Sequence, residues 1–128
     1  MSSTKKLPLF TLGVEEEYQI IDPETRDLRS HMSKIVEGGK IHLREQVKAE
    51  MHQAVVEVGT NICKNIGEAR KEVGFLRGQV AQLASRQNLL VGAAGTHPFS
   101  KWQDQEIYPN FLPRWGLMEV VWVVALLQ

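Results

Sequence analysis

The sequence predicts an α+β fold, and three observations carry that prediction. Near the start, Leu12, Val14, Tyr18 and Ile20 alternate at period two. After Cys63 the spacing changes to three and four, through Ile66, Ala69, Val73, Leu76, Val80 and Leu83. A short apolar run over residues 89–94 follows and is closed by Gly95. Period two is the pleat of a strand, and a three–four stripe is one face of a helix.

Each element follows in order. Residues 7–22 read as a strand, and Asp22-Pro23-Glu24-Thr25 as a turn, because Pro presets one backbone angle and Asp bonds back to the main chain. Residues 26–28 supply a short second strand for a hairpin. Residues 29–43 show no clean period and contain Gly38-Gly39, so they read as mostly loop. Residues 47–60 read as a second long strand ending in Val55-Val56-Glu57-Val58. The stripe after Cys63 predicts one long helix. Asn65 is its N-cap and Glu68 completes a capping box; the end falls at residues 86–88. Residues 89–94 then form a short buried strand. Strand, helix and strand in succession usually connect parallel strands, and the hairpin beside them suggests an α+β sheet rather than a pure doubly wound one.

Bulk properties exclude several functions. The 128 residues suffice for one domain with a core. Hydrophobic residues at 43% and charged residues at 23% are the mix of a folded, soluble protein. Lys+Arg and Asp+Glu balance at 15 each, which leaves no net positive charge to hold nucleic acid. No run reaches the ~20 apolar residues of a membrane helix, and no signal peptide is visible. The one cysteine, Cys63, has no partner for an internal disulfide, which points to a reducing cytoplasm.

Three clusters could carry chemistry. In Gly13-Val14-Glu15-Glu16-Glu17, adjacent carboxylates interrupt an apolar strand. Period two places Glu15 and Glu17 on one face and Glu16 on the other. Two carboxylates on one face can ligate a hard cation, Mg²⁺ or Mn²⁺; otherwise they are solvated surface acids. Glu50 and Glu57 form a second pair, seven residues apart, and on a regular strand they fall on opposite faces. A bulge or break near His52-Gln53 is needed to bring both to one site; without it Glu50 is an exposed acid. The third cluster is Gly92-Ala93-Ala94-Gly95-Thr96-His97-Pro98-Phe99. There His97 either binds a phosphate or carboxylate or fixes the turn. No phosphate-loop or dinucleotide glycine pattern is present.

In this order, these pieces resemble a known family. Leu12-Gly13-Val14-Glu15-Glu16-Glu17-Tyr18-Gln19 with Asp22-Pro23-Glu24-Thr25, then Val56-Glu57-Val58 with Thr60, then Ala93-Ala94-Gly95-Thr96-His97-Pro98-Phe99 with Trp102 and Asp104-Gln105, are similar to the bacterial carboxylate–amine ligases of the glutamate–cysteine ligase 2 type. The resemblance implies a partial glutamine-synthetase-like sheet. It also implies an ATP-dependent ligase in which a glutamate-like carboxylate is phosphorylated and an amine such as cysteine displaces phosphate. ATP and Mg²⁺ (or Mn²⁺) are the implied cofactors, Glu15, Glu17, Glu50 and Glu57 the implied metal ligands, and His97 an implied cofactor contact.

The resemblance covers residues 7–110, and residues 1–110 are expected to form the N-terminal part of a catalytic domain. Residues 111–128 depart from it and end in the apolar run 120–127. That ending reads as a truncation or frame change, leaving a fragment inactive by itself. The other reading is a non-catalytic module that docks a partner, or a second copy of itself, through the tail.

Overall fold

The computed structural model describes residues 10–109. Its elements are β1 (Glu15–Ile21), α1 (Met32–Leu43), β2 (Val47–Ala49), β3 (Val55–Gly59), α2 (Ile66–Ser85) and β4 (Leu90–Gly92). The four strands make one sheet in the order β2-β3-β1-β4, and every neighbouring pair is antiparallel. Since β1 lies between β3 and β4 and opposes both, those two run parallel. The strand–helix–strand unit is therefore present, with β1 inserted between its two strands. The fold is α+β, as expected.

The alternation in β1 has the predicted consequence. Tyr18 and Ile20 are buried, together with Val56 and Val58 of β3 and Val47 of β2. Both helices contribute to the same core, α1 through Met32, Ile35, Val36 and Leu43, and α2 through Leu76, Val80 and Ala84. One sheet face is thus covered. Glu15, Glu17, Lys48 and Glu57 alternate with these apolar residues and belong to the other face.

Four sequence expectations need correction. The first strand is shorter than residues 7–22. It begins at Glu15, and upstream of it Leu12 only bridges Cys63. Residues 7–9 lie outside the described residues. The 29–43 segment is largely helix. Met32, Ile35, Val36, Gly39 and Leu43 are its buried stripe, and Gly39 is there because backbone must pass close to β2. A Cβ at Gly39 would lie 2.7 Å from Val47 Cγ1 and 3.2 Å from Leu83 Cδ1. The Gly38-Gly39 pair is a packing surface and makes no turn.

The third correction concerns residues 47–60, which fold back on themselves. β2 and β3 pair with Val47 opposite Val58 and Lys48 opposite Glu57. No Gly or Pro marks the reversal. It is held from outside: Tyr108 N–H donates to Met51 O (2.7 Å), Gln53 N–H to Glu106 O (2.8 Å) and Met32 N–H to Gln53 O (2.8 Å). Finally, β4 spans only three residues at the sheet edge, and its Leu90 is exposed while Leu89 before it is buried.

Other expectations match. Asn65 Oδ1 accepts from Glu68 N–H at 2.9 Å, and Glu68 Oε2 reaches back to Lys64 N–H, one residue before the cap, at 2.8 Å, so a reciprocal pair of capping bonds closes the start of α2. The Asp22 turn forms as predicted. Its Oδ1 accepts from the N–H groups of Thr25 (2.9 Å) and Glu24 (2.8 Å), and Arg29 closes on Oδ2. These backbone bonds, led by Thr25 and Glu24 and joined by Arg29, hold the Asp22 carboxyl at a pKa of about 2. Leu28 makes a single bridge to Ile21, so the hairpin expected at residues 26–28 is reduced to one pair.

The glycines of the two helices therefore separate by role. At Gly78 an added Cβ meets nothing within 4 Å, so Gly78→Ala should stabilise the chain by about 0.5–1 kcal/mol through lost backbone freedom. Gly39→Ala should destabilise it by roughly 1–3 kcal/mol, because the stiff, buried Val47 must move. Urea unfolding of the two variants beside wild type checks both signs.

Candidate metal centre

The antiparallel register of β1 and β3 sets Glu17 directly opposite Glu57. That of β2 and β3 sets Lys48 on the far side of Glu57. One row across three strands therefore reads Lys48, Glu57, Glu17. Glu50 follows β2 at the start of the reversal, where its Oε1 accepts from Met51 N–H at 2.9 Å. The chain reversal through His52-Gln53, the break that the spacing required, delivers it to the row. Glu17, Glu50 and Glu57 then each offer one carboxylate oxygen, all within 4.8 Å of one another.

Like charges directly opposite on an antiparallel pair are destabilising. Glu17 shows this cost: burial, then the charges of Glu50, Glu57 and Glu15, push its carboxyl above the usual range. Among the described residues no Lys or Arg pairs with Glu17 or Glu50. Lys48 Nζ does reach Glu57 Oε1 (2.8 Å) and Glu15 Oε1 (3.0 Å). Glu15 thus lies on the same face but outside the trio, tied to Lys48. Those two carboxylates raise the Lys48 ammonium above its ordinary value, Glu57 contributing most.

Glu16 points to the helix side, where Arg77 of α2 makes two contacts with its carboxylate, one of them from Nε at 2.9 Å. Tyr18 OH also donates to it. The Arg77 hydrogen bond keeps the Glu16 carboxyl below its ordinary value. Burial pushes the Tyr18 phenol up to about 12.

His97 is occupied elsewhere. Its Nε2 lies 2.9 Å from the carbonyl of Arg26, which can only accept, so Nε2 donates. Nδ1 is then the acceptor for Ser100 N–H at 3.0 Å. Nδ1 thus closes the 95–100 turn on itself, and Nε2 ties that turn to Arg26 beside the Asp22 turn. The geometry offers neither to a cofactor, so of the two sequence readings for His97 the turn-fixing one describes its position here.

Lys48 is the site residue that sequence reasoning missed. Reading residues 47–60 as one strand set it nine positions from Glu57, at the opposite end. Only the reversal puts the two side by side. The available signal was Lys48-Ala49-Glu50, a cation and an acid at period two leading into a segment without helical spacing.

A trio of carboxylates suits a hard divalent cation. Oxygens on opposite sides of Mg²⁺ are separated by roughly 4.2 Å, and around Ca²⁺ by about 5 Å, so three oxygens within 4.8 Å of one another are near the spacing that such a cation would impose. The donor set is oxygen only, which disfavours the softer metals.

A two-layer α+β chain with carboxylates converging on the open face of its sheet is the class that fold and cluster define. The family model described as glutamate–cysteine ligase family 2 (GCS2) matches residues 11–120, and the chain belongs to that family. It is 61% identical over 101 residues to the protein named "Putative glutamate–cysteine ligase 2" of Chloroflexus aggregans, covering 79% of this chain and 26% of that one. Proteins of the same name from Herpetosiphon aurantiacus (57% identity, 79% and 26% coverage) and Solibacter usitatus (53%, 86% and 28%) are similarly related. The chain corresponds to an N-terminal portion of these relatives and spans about a quarter of their length. Among the described residues no helix is long and apolar enough to cross a membrane.

The raised Glu17 value has a pH signature. A carboxyl whose folded pKa exceeds its unfolded one removes stability as pH rises through the interval between them. In EDTA, Glu17→Gln should therefore melt higher than wild type, and the gap should widen as pH is raised from about 4 to about 7. Circular dichroism melts across that range check it; a gap that closes with rising pH refutes the assignment.

Proposed function

We propose that this chain carries the carboxylate side of the catalytic centre of an ATP-dependent carboxylate–amine ligase of the glutamate–cysteine ligase type. The convergence of Glu17, Glu50 and Glu57, in a chain of this family, carries the reading. In it, residues 1–110 belong to a glutamine-synthetase-like catalytic domain working in the cytoplasm. A glutamate-like acid takes the γ-phosphoryl group of ATP on its carboxylate. An amine such as cysteine then attacks the activated carbon, forming the amide and releasing phosphate, with ADP as the other product.

The role of this chain's own residues follows from their charges. Glu17, Glu50 and Glu57 would hold Mg²⁺ or Mn²⁺, which when bound offsets the negative charge of the nucleotide phosphates. Glu15 lies one pleat away on the same face and completes the acidic rim. Arg77 keeps Glu16 turned to the helices, so that it does not add a further charge to the rim. The open face, free of helices among the described residues, leaves room for nucleotide and acid. His97 contributes by holding the 95–100 turn.

The alternative of a non-catalytic docking module gains no support from the family match. The apolar run 120–127 on which it rests, and through which self-association is proposed, lies outside the described residues.

Two measurements test the ligase reading. Titration with Mn²⁺, followed by the free-ion paramagnetic resonance signal, should show binding to wild type. It should show affinity lower by about tenfold or more in Glu17→Gln and in Glu57→Gln, and no change in Glu24→Gln on the exposed turn. Equal affinity in all four would sink the cluster as a metal centre.

The second measurement is activity. Phosphoryl transfer needs charge offset from several sides of the phosphate, and the described residues provide the acidic, metal-binding side. The 128-residue chain by itself is therefore expected to release no ATP- and glutamate-dependent phosphate above background. Steady release abolished by Glu57→Gln would show that the chain is catalytically sufficient.

A further inference from the structure

His97 joins the segment after β4 to the turn after β1, and the contacts it makes fit one protonation state. Nε2 lies 2.9 Å from Arg26 O, which can only accept. Nδ1 lies 3.0 Å from Ser100 N and 3.4 Å from Phe99 N, both of which donate. The ring must therefore be neutral, with its proton on Nε2. Ser100, closed on His97 in this way, carries two more links to the same turn. Its Oγ accepts from Leu28 N–H at 3.2 Å and donates to Asp27 Oδ1 at 3.1 Å. On the other side Arg26 stands at φ 66°, a left-handed conformation uncommon outside glycine. Its N–H donates to Asp22 O at 3.0 Å and its carbonyl accepts from His97. Two stretches about seventy residues apart thus meet through one imidazole and one hydroxyl.

We propose that this junction is a proton-sensitive latch, in which one proton taken up by His97 Nδ1 releases the 95–100 segment from the turn at residues 22–28. A protonated imidazole is a donor at both nitrogens and an acceptor at neither. Its Nδ1–H would point at the N–H groups of Ser100 and Phe99, which then lose their acceptor and face another donor. The ring and the segment move apart, and the Ser100 bonds to Leu28 and Asp27 go with them. The latch is closed at neutral and alkaline pH and opens as pH falls, and histidine is the side chain that changes charge between about pH 5 and 8. The charged groups on the elements packed against the ring are Asp22, Glu24, Arg26, Asp27 and Arg29 of the turn, and Lys101 and Asp104 of its own segment. Asp22 is paired with Arg29, and its carboxyl, held at about 2, stays ionised throughout this range. Asp27 is engaged by Ser100. Glu24, Arg26, Lys101 and Asp104 are exposed and of both signs, so solvent and salt screen them, whereas donor meets donor at contact distance.

The test is nitrogen-15 NMR of the full 128-residue chain from pH 8 to pH 5. At pH 8 the His97 ring should show the tautomer with hydrogen on Nε2. As pH falls, the Ser100 amide should lose protection against hydrogen exchange by about fivefold, the worth of one hydrogen bond, after correction for the intrinsic effect of pH on exchange. The loss should follow the protonation curve of the His97 ring, and the Leu28 amide should lose protection along the same curve. His97→Asn separates this response from titration of His31, His42 and His52. Its side-chain oxygen can accept from Ser100 N–H in place of Nδ1 and takes up no proton in this range, so Ser100 protection should be flat with pH. Wild type decides the matter even if that variant does not fold. Hydrogen on Nδ1 at pH 8, a ring still neutral at pH 5, or a ring that protonates while Ser100 protection stays constant each overturns the latch. So does a pH response that persists in folded His97→Asn.

Discussion

The confrontation of Glu17 with Glu57 across the β1–β3 ladder is the constraint on which the rest of this structure depends. Directly opposed carboxylates cost stability, yet the register that opposes them is strongly enforced. Along the same two strands Tyr18 pairs with Val56 and Glu16 with Val58, so Tyr18, Ile20, Val56 and Val58 enter the core together. A slip of one residue would turn the acids into that core and the apolar side chains out to water. Burying each large apolar side chain contributes roughly 1.5–3 kcal/mol, well above the repulsion of partly solvated carboxylates. The helices α1 and α2 therefore hold the acid pair in place from behind.

Three successive glutamates meet three electrostatic fates because of the pleat. Glu16 turns to the helix layer and is neutralised by Arg77 and Tyr18. Glu15 turns to the open face and meets Lys48. Glu17, on the same face, faces Glu50 and Glu57, and burial first, then these charges, raise its carboxyl above the usual range. A carboxyl raised by burial and by neighbouring carboxylates on an open surface is the kind of perturbation found at functional sites. The cost carried by Glu17 is a cost that a bound cation would remove.

The reversal between β2 and β3 is the second device the cluster needs. Without it Glu50 would sit seven residues along the strand from Glu57. The reversal has little turn chemistry of its own and is pinned by main-chain bonds to residues 106 and 108 and to the start of α1. Segments distant in sequence thus set the position of a single carboxylate.

How much of this was legible beforehand follows from the range of the interactions involved. The local signals were reliable where the physics is local. The three–four stripe and the Asn65 cap specified α2, the Asp22 turn formed from its own side chain, and period two assigned Glu15 and Glu17 to one face and Glu16 to the other. The α+β class and the family followed from the same motifs. The helix α1 was hidden because Gly38-Gly39 resembles a turn until β2 and α2 are seen packed against it. The β2–β3 reversal was hidden because the bonds that pin it come from distant segments, residues 106 and 108 and the start of α1. Hence the sequence by itself determined which acids exist and which face of β1 carries them. Only the tertiary structure decided that Glu50 joins Glu17 and Glu57, and that Lys48 stands between Glu57 and Glu15, since strand register couples residues through space and leaves no mark in their spacing along the chain.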